Sequence, residues 1–432
     1  MFLTLKTLLA GTLLAAALPA QTPQTDRTAE CAAAGETCYG VLRVPLDWAD
    51  PASERIDVRY LWLPRGDRTK PALTTVVANG GGPGPLDPAY AELGKALLGP
   101  LADRVDVLMV EPRGFGDADP TCEGLDGDRP ETITACARKL GEKAGYYTTD
   151  QAAADVDAAR AAVGAQNVTF VGNSYGTLLG QAYAARFPRH LRAMFLTSVV
   201  GTGDDGYDQQ GFRNQAKLGL ANLEAACRRS PACARENRDP AALWERLVRR
   251  LRAHPDPRVP LRRTGPLVTA AHDARTTLAA ANAYLRHDPA PLRRLITRKA
   301  PVELTPALFT YYCGDARFPF DRDAAPAERL RQLDAYAEQH RVFWPYTAAE
   351  TESPAADWTR RCASWPTPRQ SPPVSGTFPD VPVLAIGGQF DSDTAPDDAA
   401  SVAARFPQGR SYTVPFGGHG QLFGFSPVSA CL

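Results

Sequence analysis

The sequence has no excess of charge of either sign and, after its first 20 residues, no long apolar run. Its 432 residues include 48 Lys and Arg and 48 Asp and Glu, so its charge does not favour a polyanionic partner, and we expect no nucleic-acid binding. Without a second apolar run, we expect no membrane span in the mature protein. The sequence has no internal repeats or low-complexity tracts, which is typical of an ordinary globular protein.

Signatures of cofactor and metal sites are also missing. No G-K-[ST] or G-x-G-x-x-G pattern follows the glycine run Gly80–Gly82, and no basic residue comes after it until Lys95. Both facts argue against a phosphate-binding loop at that run. The nine cysteines form no paired C-x-x-C motif, which argues against a zinc site. We therefore predict neither a cofactor nor a metal.

Residues 1–20 have the pattern of a secretion signal. Lys6 supplies the positive start, Thr7–Leu18 the apolar segment, and small residues precede Ala20. The apolar segment is short for a bilayer span, although a retained N-terminal anchor is the alternative. The pattern predicts a secreted protein, extracellular or periplasmic, after removal of the signal.

The cysteines are consistent with an oxidising compartment. Spacing along the chain suggests four disulfides and leaves one cysteine unpaired, although spacing alone does not determine connectivity. The suggested pairs are Cys31–Cys38, Cys122–Cys136, Cys227–Cys233 and Cys313–Cys362, with Cys431 left over.

Apolar segments of strand length alternate with helical patterns along most of the chain, which predicts a mostly parallel sheet with helices on both faces. Between 201 and 375 the chain becomes rich in Arg, Pro and Ala and has no clear buried strand, so we interpret this region as an inserted helical cap. The predicted units are a signal at 1–20, a core at 21–200 and 376–432, and the cap at 201–375. Predicted strands are 41–48, 55–62, 74–78, 105–110, 167–171, 193–200, 381–386 and 411–414, and predicted helices are 151–163, 177–187, 241–253 and 327–339.

The segment Gly172–Gly176 has the pattern G-x-S-x-G between a predicted strand and a predicted helix. This is the context of a nucleophile elbow, in which a sharp turn exposes a strained serine. Side chains at positions 172 and 176 would collide with so tight a turn, and glycine removes them. The pattern predicts Ser174 as a nucleophile, and the alternative is a glycine-bracketed serine in an ordinary turn.

A serine nucleophile needs a base and a group that orients that base. Ser174, Asp391 and His419 each follow a predicted strand, in the chain order Ser, Asp, His that is typical of this architecture. His419 is the only histidine in a glycine-flanked loop after a strand, although a solvated loop histidine is the alternative. Asp393 competes with Asp391 for the role of the acid. The other histidines, expected at the surface, are His190, His254, His272, His287 and His340.

Two backbone N–H groups are expected to face the developing oxyanion. One belongs to Tyr175, directly after the nucleophile, and the other to the glycine run, where we place it at Gly81. Glycines suit that role because backbone and substrate must approach closely there.

These motifs fall in the order found in one known family. They are Val44–Trp48 with Pro51, Asn79–Gly84, Arg113–Gly116, Gly172–Gly176, Gly388–Asp391 with Thr394, and Gly418–Gly420. Together they resemble the secreted tripeptidyl aminopeptidases, relatives of the proline iminopeptidases within the α/β-hydrolases. The resemblance runs from about Cys31 to the end, with the cap similar only around Cys313–Asp315 and Cys362.

The resemblance implies an α/β-hydrolase fold with an inserted helical cap and a triad of Ser174, Asp391 and His419. It also implies an oxyanion hole formed by the glycine loop and the amide after the serine. The chain departs from the family at Gly80, where proline is usual, and at Glu111 and Ala118, where aspartate and serine are usual. These departures concern the details of the pocket.

The first functional hypothesis is a serine exopeptidase that releases short peptides, in this family tripeptides, from free N-termini. Such an enzyme must bind a charged ammonium, which in a closed pocket needs carboxylates. Asp204, Asp205 and Asp315 are the candidates, although each could instead be a solvated loop residue. The alternatives are an esterase or other hydrolase on the same fold and a secreted binding protein that has lost catalysis.

Overall fold

The computed structural model describes most of the chain between residues 37 and 420. The described ranges are 37–90, 98–116, 121–203, 206–207, 215–269, 274–296, 304–352, 354–365, 371–372, 374 and 378–420. The predicted signal and Cys31, Ala118, Asp204, Asp205, His272 and Cys431 lie outside these ranges.

Eight strands form one sheet in the order β1-β2-β4-β3-β5-β6-β9-β10. The six strands from β4 to β10 in that order are parallel, whereas β1 pairs antiparallel with β2 and β2 antiparallel with β4. This confirms the predicted α/β class and mostly parallel sheet. The strands are β1 Cys38–Pro45, β2 Arg55–Leu63, β3 Thr74–Asn79, β4 Val105–Val110, β5 Val168–Asn173, β6 Leu191–Thr197, β7 Thr202–Gly203, β8 Gly206–Tyr207, β9 Pro382–Gly388 and β10 Gln408–Val414.

Helices connect most of these strands, and nine of the thirteen in the described residues lie between β8 and β9. Short 3₁₀ turns at Gly99–Asp103, Gly141–Tyr146, Pro188–His190, Leu261–Thr264 and Ala348–Glu350 complete the elements. The helices are α1 Pro130–Leu140, α2 Thr149–Ala162, α3 Tyr175–Arg186, α4 Gln215–Arg229, α5 Pro231–Glu236, α6 Pro240–Ala253, α7 Gly265–Thr269, α8 Ala274–Leu285, α9 Ala290–Ile296, α10 Pro306–Asp315, α11 Pro326–Gln339, α12 Pro354–Ala363 and α13 Pro396–Ala403.

The central strands carry apolar side chains on both faces because both faces of the sheet are covered. In β4, Leu108 and Val110 belong to the core on one face, whereas Val107 and Met109 belong to the core on the other. Residues of α2, α3 and α13 pack on the first face. Alternate side chains of a strand point to opposite faces, so each face needs its own apolar set.

The helices between β8 and β9 have an apolar core of their own, built on α4, α6 and α8 around the fully buried Trp244. Helix α10 differs from them, because Ala307 and Tyr311 pack into the core of the sheet. The inserted region is therefore helical, as predicted, but it opens with the two-residue strands β7 and β8. Strands so short have no alternation that a sequence pattern could reveal.

Three of the suggested disulfides are confirmed: Cys122–Cys136, Cys227–Cys233 and Cys313–Cys362. Cys38 is also disulfide-bonded. The first and third lie in one small apolar cluster that joins α1, α10 and α12. None of the described helices is long and apolar enough to cross a membrane.

Candidate active site

Ser174 lies in a tight turn between β5 and α3. Its backbone has φ 52° and ψ −122°, a conformation that is strained for a residue with a side chain. A Cβ at Gly172 would come within 2.5 Å of the carbonyl oxygen of Gly176, and one at Gly176 within 2.4 Å of the carbonyl oxygen of Asn79. The turn therefore requires both glycines, as the motif predicts.

The glycine loop after β3 lies directly against this turn. Gly81 has φ +113°, and a Cβ there would come within 3.1 Å of Ser174 Cβ. Two asparagines fix the loop: Asn173 Nδ2 donates to the carbonyl of Gly80 at 3.0 Å, and Gly81 N–H donates to Asn79 Oδ1 at 3.0 Å. The loop thus places its backbone beside the serine, and its glycines contribute no side chains that would block a substrate there.

His419 joins Ser174 to Asp391. Its Nε2 lies 3.0 Å from Ser174 Oγ, and its Nδ1 lies 3.0 Å from both carboxylate oxygens of Asp391. The His419 side chain is 30% exposed and that of Asp391 is fully buried. The structure therefore brings the three predicted residues together from the ends of β5, β9 and β10.

Asp391, not Asp393, is the carboxylate that contacts the histidine. The N–H groups of Asp393 and Thr394 donate to Asp391 Oδ1, both at 2.9 Å, and Thr394 Oγ1 donates to Oδ2 at 2.7 Å. Burial would raise the pKa of Asp391, but its bond and attraction to His419 and the bonds from Thr394 outweigh burial and lower it. Burial raises the pKa of Asp393.

The pKa of His419 predicts the pH dependence of activity. Burial would lower this pKa, but the hydrogen bond and attraction to Asp391, helped by Asp393, raise it from 6.5 to about 9. The neutral imidazole is the form that accepts the serine proton, so kcat/KM should increase with pH up to that pKa. We expect the midpoint of the acidic limb to lie well above 6.5.

This midpoint can be measured from kcat/KM across about pH 5 to 10. Asp393→Asn is the matched control: it removes one charge that raises the pKa of His419 and should lower the midpoint without abolishing activity. A wild-type midpoint at or below 6.5 would contradict the hydrogen-bonded arrangement of His419 with Asp391.

The two predicted oxyanion donors have different environments. Tyr175 is the first residue of α3, where an N–H has no partner within the helix. The N–H of Gly81, by contrast, already donates to Asn79. The structure therefore argues against Gly81 as a donor. Among the described residues the N–H of the next residue, Gly82, makes no hydrogen bond, although its carbonyl accepts one from Tyr312 at 3.1 Å.

Asp315 does not present a free carboxylate to a substrate, contrary to prediction. It is 6% exposed at the end of α10. It accepts bonds from the N–H of Thr149 at 3.1 Å, from Thr149 Oγ1 at 2.6 Å and from the hydroxyl of Ser371. These donors satisfy both of its oxygens, so an incoming ammonium would have to displace them. The other two amine-binding candidates, Asp204 and Asp205, lie outside the described residues.

Helix α10 contributes contacts that the sequence patterns did not indicate. The ring of Tyr311 meets that of Tyr175 edge-on at 5.8 Å, and the Tyr311 hydroxyl donates to the carbonyl of Arg113 at 3.1 Å. With Tyr312 on the glycine loop, this helix contacts several motifs at once. The available signal is the run from Tyr311 to Asp315, because it ends in Cys313–Asp315, one of the two places where the cap resembles the family.

The remaining predicted features are accounted for by packing. Glu111 is buried, binds Arg59 and accepts the N–H of Leu86 at 2.9 Å. His190 Nδ1 lies 2.6 Å from a carboxylate oxygen of Asp157. His190 directly precedes β6, at the opposite end of the parallel sheet from Ser174, which follows β5. Within the described ranges no group of three His, Cys, Asp or Glu could hold a metal ion.

Comparison with known proteins gives one family match and several relatives. Residues 74–424 match the family described as the alpha/beta hydrolase fold. The serine protease Hip1 of Mycobacterium tuberculosis is 27% identical over 416 residues, which cover 83% of this chain and 77% of that protein. The tripeptidyl aminopeptidase of Streptomyces coelicolor is 29% identical over 192 residues, 38% of this chain and 36% of that protein.

Similarity to solved structures is weaker. An alpha/beta hydrolase fold protein from Nakamurella multipartita covers 91% of this chain and 96% of its own at 14% identity, with a TM-score of 0.38. A score this low supports no inference about function.

Proposed function

The chain belongs to the α/β-hydrolase family, and on that basis we propose that it is a secreted serine exopeptidase that removes tripeptides from free N-termini. The observation that carries the proposal is the hydrogen-bonded path from Ser174 Oγ through His419 to Asp391, with contacts of 3.0 Å. It supplies a nucleophile, a base and an orienting acid. The three disulfides support export, since such bonds persist in oxidising compartments.

In the proposed reaction Ser174 Oγ attacks the scissile carbonyl carbon and its proton moves to His419 Nε2. Asp391 stabilises the imidazolium that forms. The N–H of Tyr175 and one N–H of the glycine loop, for which Gly82 fits better than Gly81, stabilise the oxyanion. His419 then gives the proton to the leaving amine, and water releases the peptide from the acyl-enzyme.

The names of two relatives support peptides as substrates, because one is a serine protease and the other a tripeptidyl aminopeptidase. A charged N-terminus needs a carboxylate partner if the pocket closes around it. We propose Asp204 and Asp205 for this role, since Asp315 is occupied by Thr149 and Ser371. Because Asp315 is already bonded to Thr149 and Ser371, the structure also favours a second candidate function, an esterase on the same fold. An esterase needs no carboxylate to bind a substrate ammonium.

Two matched substrates distinguish the candidates. We expect a tripeptide p-nitroanilide with a free amine to be cleaved at least about 100-fold faster, in kcat/KM, than its N-acetylated form. The reason is that a site built for a charged group leaves its carboxylates unpaired with a blocked substrate. Rates of p-nitroaniline release measure this directly.

Asp204→Asn with Asp205→Asn should remove the preference and spare hydrolysis of p-nitrophenyl acetate, which serves as the control for a working triad. Equal rates on the free and acetylated peptides, with the ester still hydrolysed, would reject the exopeptidase and favour the esterase.

A further inference from the structure

We propose that Asp315 and Thr149 are positioning residues that hold Tyr175, and with it the oxyanion-binding N–H, in place beside Ser174. The inference rests on the proposed function, because it concerns the N–H that would stabilise the tetrahedral intermediate. It gives Asp315, in the inserted region, a role in the reaction that does not require contact with substrate.

A directed chain of hydrogen bonds connects the three residues. Thr149 Oγ1 lies 2.9 Å from the hydroxyl of Tyr175 and 2.6 Å from Asp315 Oδ2. A carboxylate can only accept and threonine has one hydroxyl proton, so Thr149 donates to Asp315 and Tyr175 donates to Thr149. Burial raises the pKa of Asp315 to about 6, against the bonds from Ser371 and Thr149 that lower it, which leaves the group ionised at neutral pH.

The chain is buried at every member. Tyr175 is 6% exposed, Thr149 3% and Asp315 6%. Water therefore does not compete for these bonds, and charge-assisted bonds to a buried carboxylate are among the stronger ones in proteins. Asp315 is itself fixed by the N–H of Thr149, by Ser371 and by the nearby Cys313–Cys362 disulfide.

Tyr175 links this chain to the reaction. Its backbone N–H is the proposed oxyanion donor, and its backbone directly follows the strained Ser174. A strained turn persists only when its surroundings hold it. The ring of Tyr311 packs edge-on against the ring of Tyr175, whereas Thr149 fixes its hydroxyl end. Loss of the hydrogen bond between Thr149 and the Tyr175 hydroxyl would let the backbone N–H of Tyr175 shift. Small displacements of groups in an active site have large effects on the reaction rate.

Thr149→Val and Thr149→Ser form the matched test. Valine keeps the shape and the backbone N–H that binds Asp315 but loses the hydroxyl, whereas serine keeps the hydroxyl. We expect Thr149→Val to lower kcat roughly ten-fold with KM nearly unchanged, and Thr149→Ser to retain wild-type kcat. Both are assayed on the free-amine tripeptide anilide and on p-nitrophenyl acetate, with the thermal unfolding midpoint measured beside them.

A peptide aldehyde gives a second readout, because its hemiacetal oxygen occupies the oxyanion site. Its inhibition constant should rise in Thr149→Val by about the factor by which kcat falls. Tyr175→Phe should have a similar effect, and the double variant should lose little more than either single one, since both remove the bond between Tyr175 and Thr149.

Two results would overturn the inference: wild-type kcat in Thr149→Val, whether or not its unfolding midpoint falls, or Thr149→Ser as impaired as Thr149→Val. In each the wild type remains active, so the proposed function stands. A folded wild type that hydrolyses neither substrate would overturn the proposed function and this inference together.

Discussion

Replacing Ser174 with alanine should reduce kcat/KM by about three orders of magnitude or more, and so should His419→Ala. The two side chains are 3.0 Å apart and act on the same proton, so either loss disables the pair. Both variants should remain folded, because both side chains border solvent and neither is a core residue. Steady-state kinetics on the tripeptide anilide measures the loss, and circular dichroism checks the fold.

The two aspartates after β9 provide the matched control. Asp391→Asn should be nearly as damaging, since asparagine would orient His419 in the wrong tautomer. Asp393→Asn should retain most activity at alkaline pH, because Asp393 makes no contact with His419 comparable to the 3.0 Å bonds of Asp391. The reverse order of effects would show that Asp393 is the acid.

Arg113→Ala should lower the free energy of unfolding by about 3–5 kcal/mol, because it leaves the carboxylate of Asp155 buried and unpaired. Both side chains are 0% exposed. Arg113 contacts Asp155 through Nε at 2.7 Å and Nη2 at 2.6 Å, and donates to the carbonyl of Leu46 at 2.6 Å. Trp48 Nε1 also donates to Asp155, at 2.8 Å. The pair therefore joins the Val44–Trp48 motif to the loop after β4.

Denaturant unfolding of wild type and Arg113→Ala measures this difference. Arg275→Ala is the control, because it breaks an exposed ion pair with Glu236 and should leave the unfolding midpoint nearly unchanged. If the Arg113→Ala protein were as stable as the control, the buried ion pair between Arg113 and Asp155 would not have the stabilising role that we assign to it.

Much of the fold could be predicted because its signals are local. The buried strands β3 and β4 are short apolar runs, and their predicted bounds differ from the observed ones by at most one residue. The prediction for β10 began at 411, whereas the strand begins at Gln408, because this edge strand is largely exposed and its first residues are polar. Helix α1 was not predicted, since only Ile133, Cys136 and Ala137 are buried along its length.

The triad could also be predicted, because glycine requirements and chain order are visible in sequence. Burial and hydrogen-bond partners are not visible in sequence, so the sequence offers Asp315 as a candidate for binding the substrate amine, although the structure buries it against Thr149. Thr149 is the first residue of α2, and nothing in its neighbours along the chain indicates a contact with Tyr175. The sequence also does not distinguish the N–H groups of the glycine run from one another. In the structure the N–H of Gly81 donates to the side chain of Asn79, which a run of identical residues cannot reveal.

Mass spectrometry after reaction with a fluorophosphonate tests the central claim, that Ser174 is the nucleophile of a serine hydrolase. The account predicts one adduct, located on the peptide that contains Ser174, and very slow labelling of His419→Ala. An adduct on a different serine, or an active wild-type protein that remains unlabelled, would contradict it.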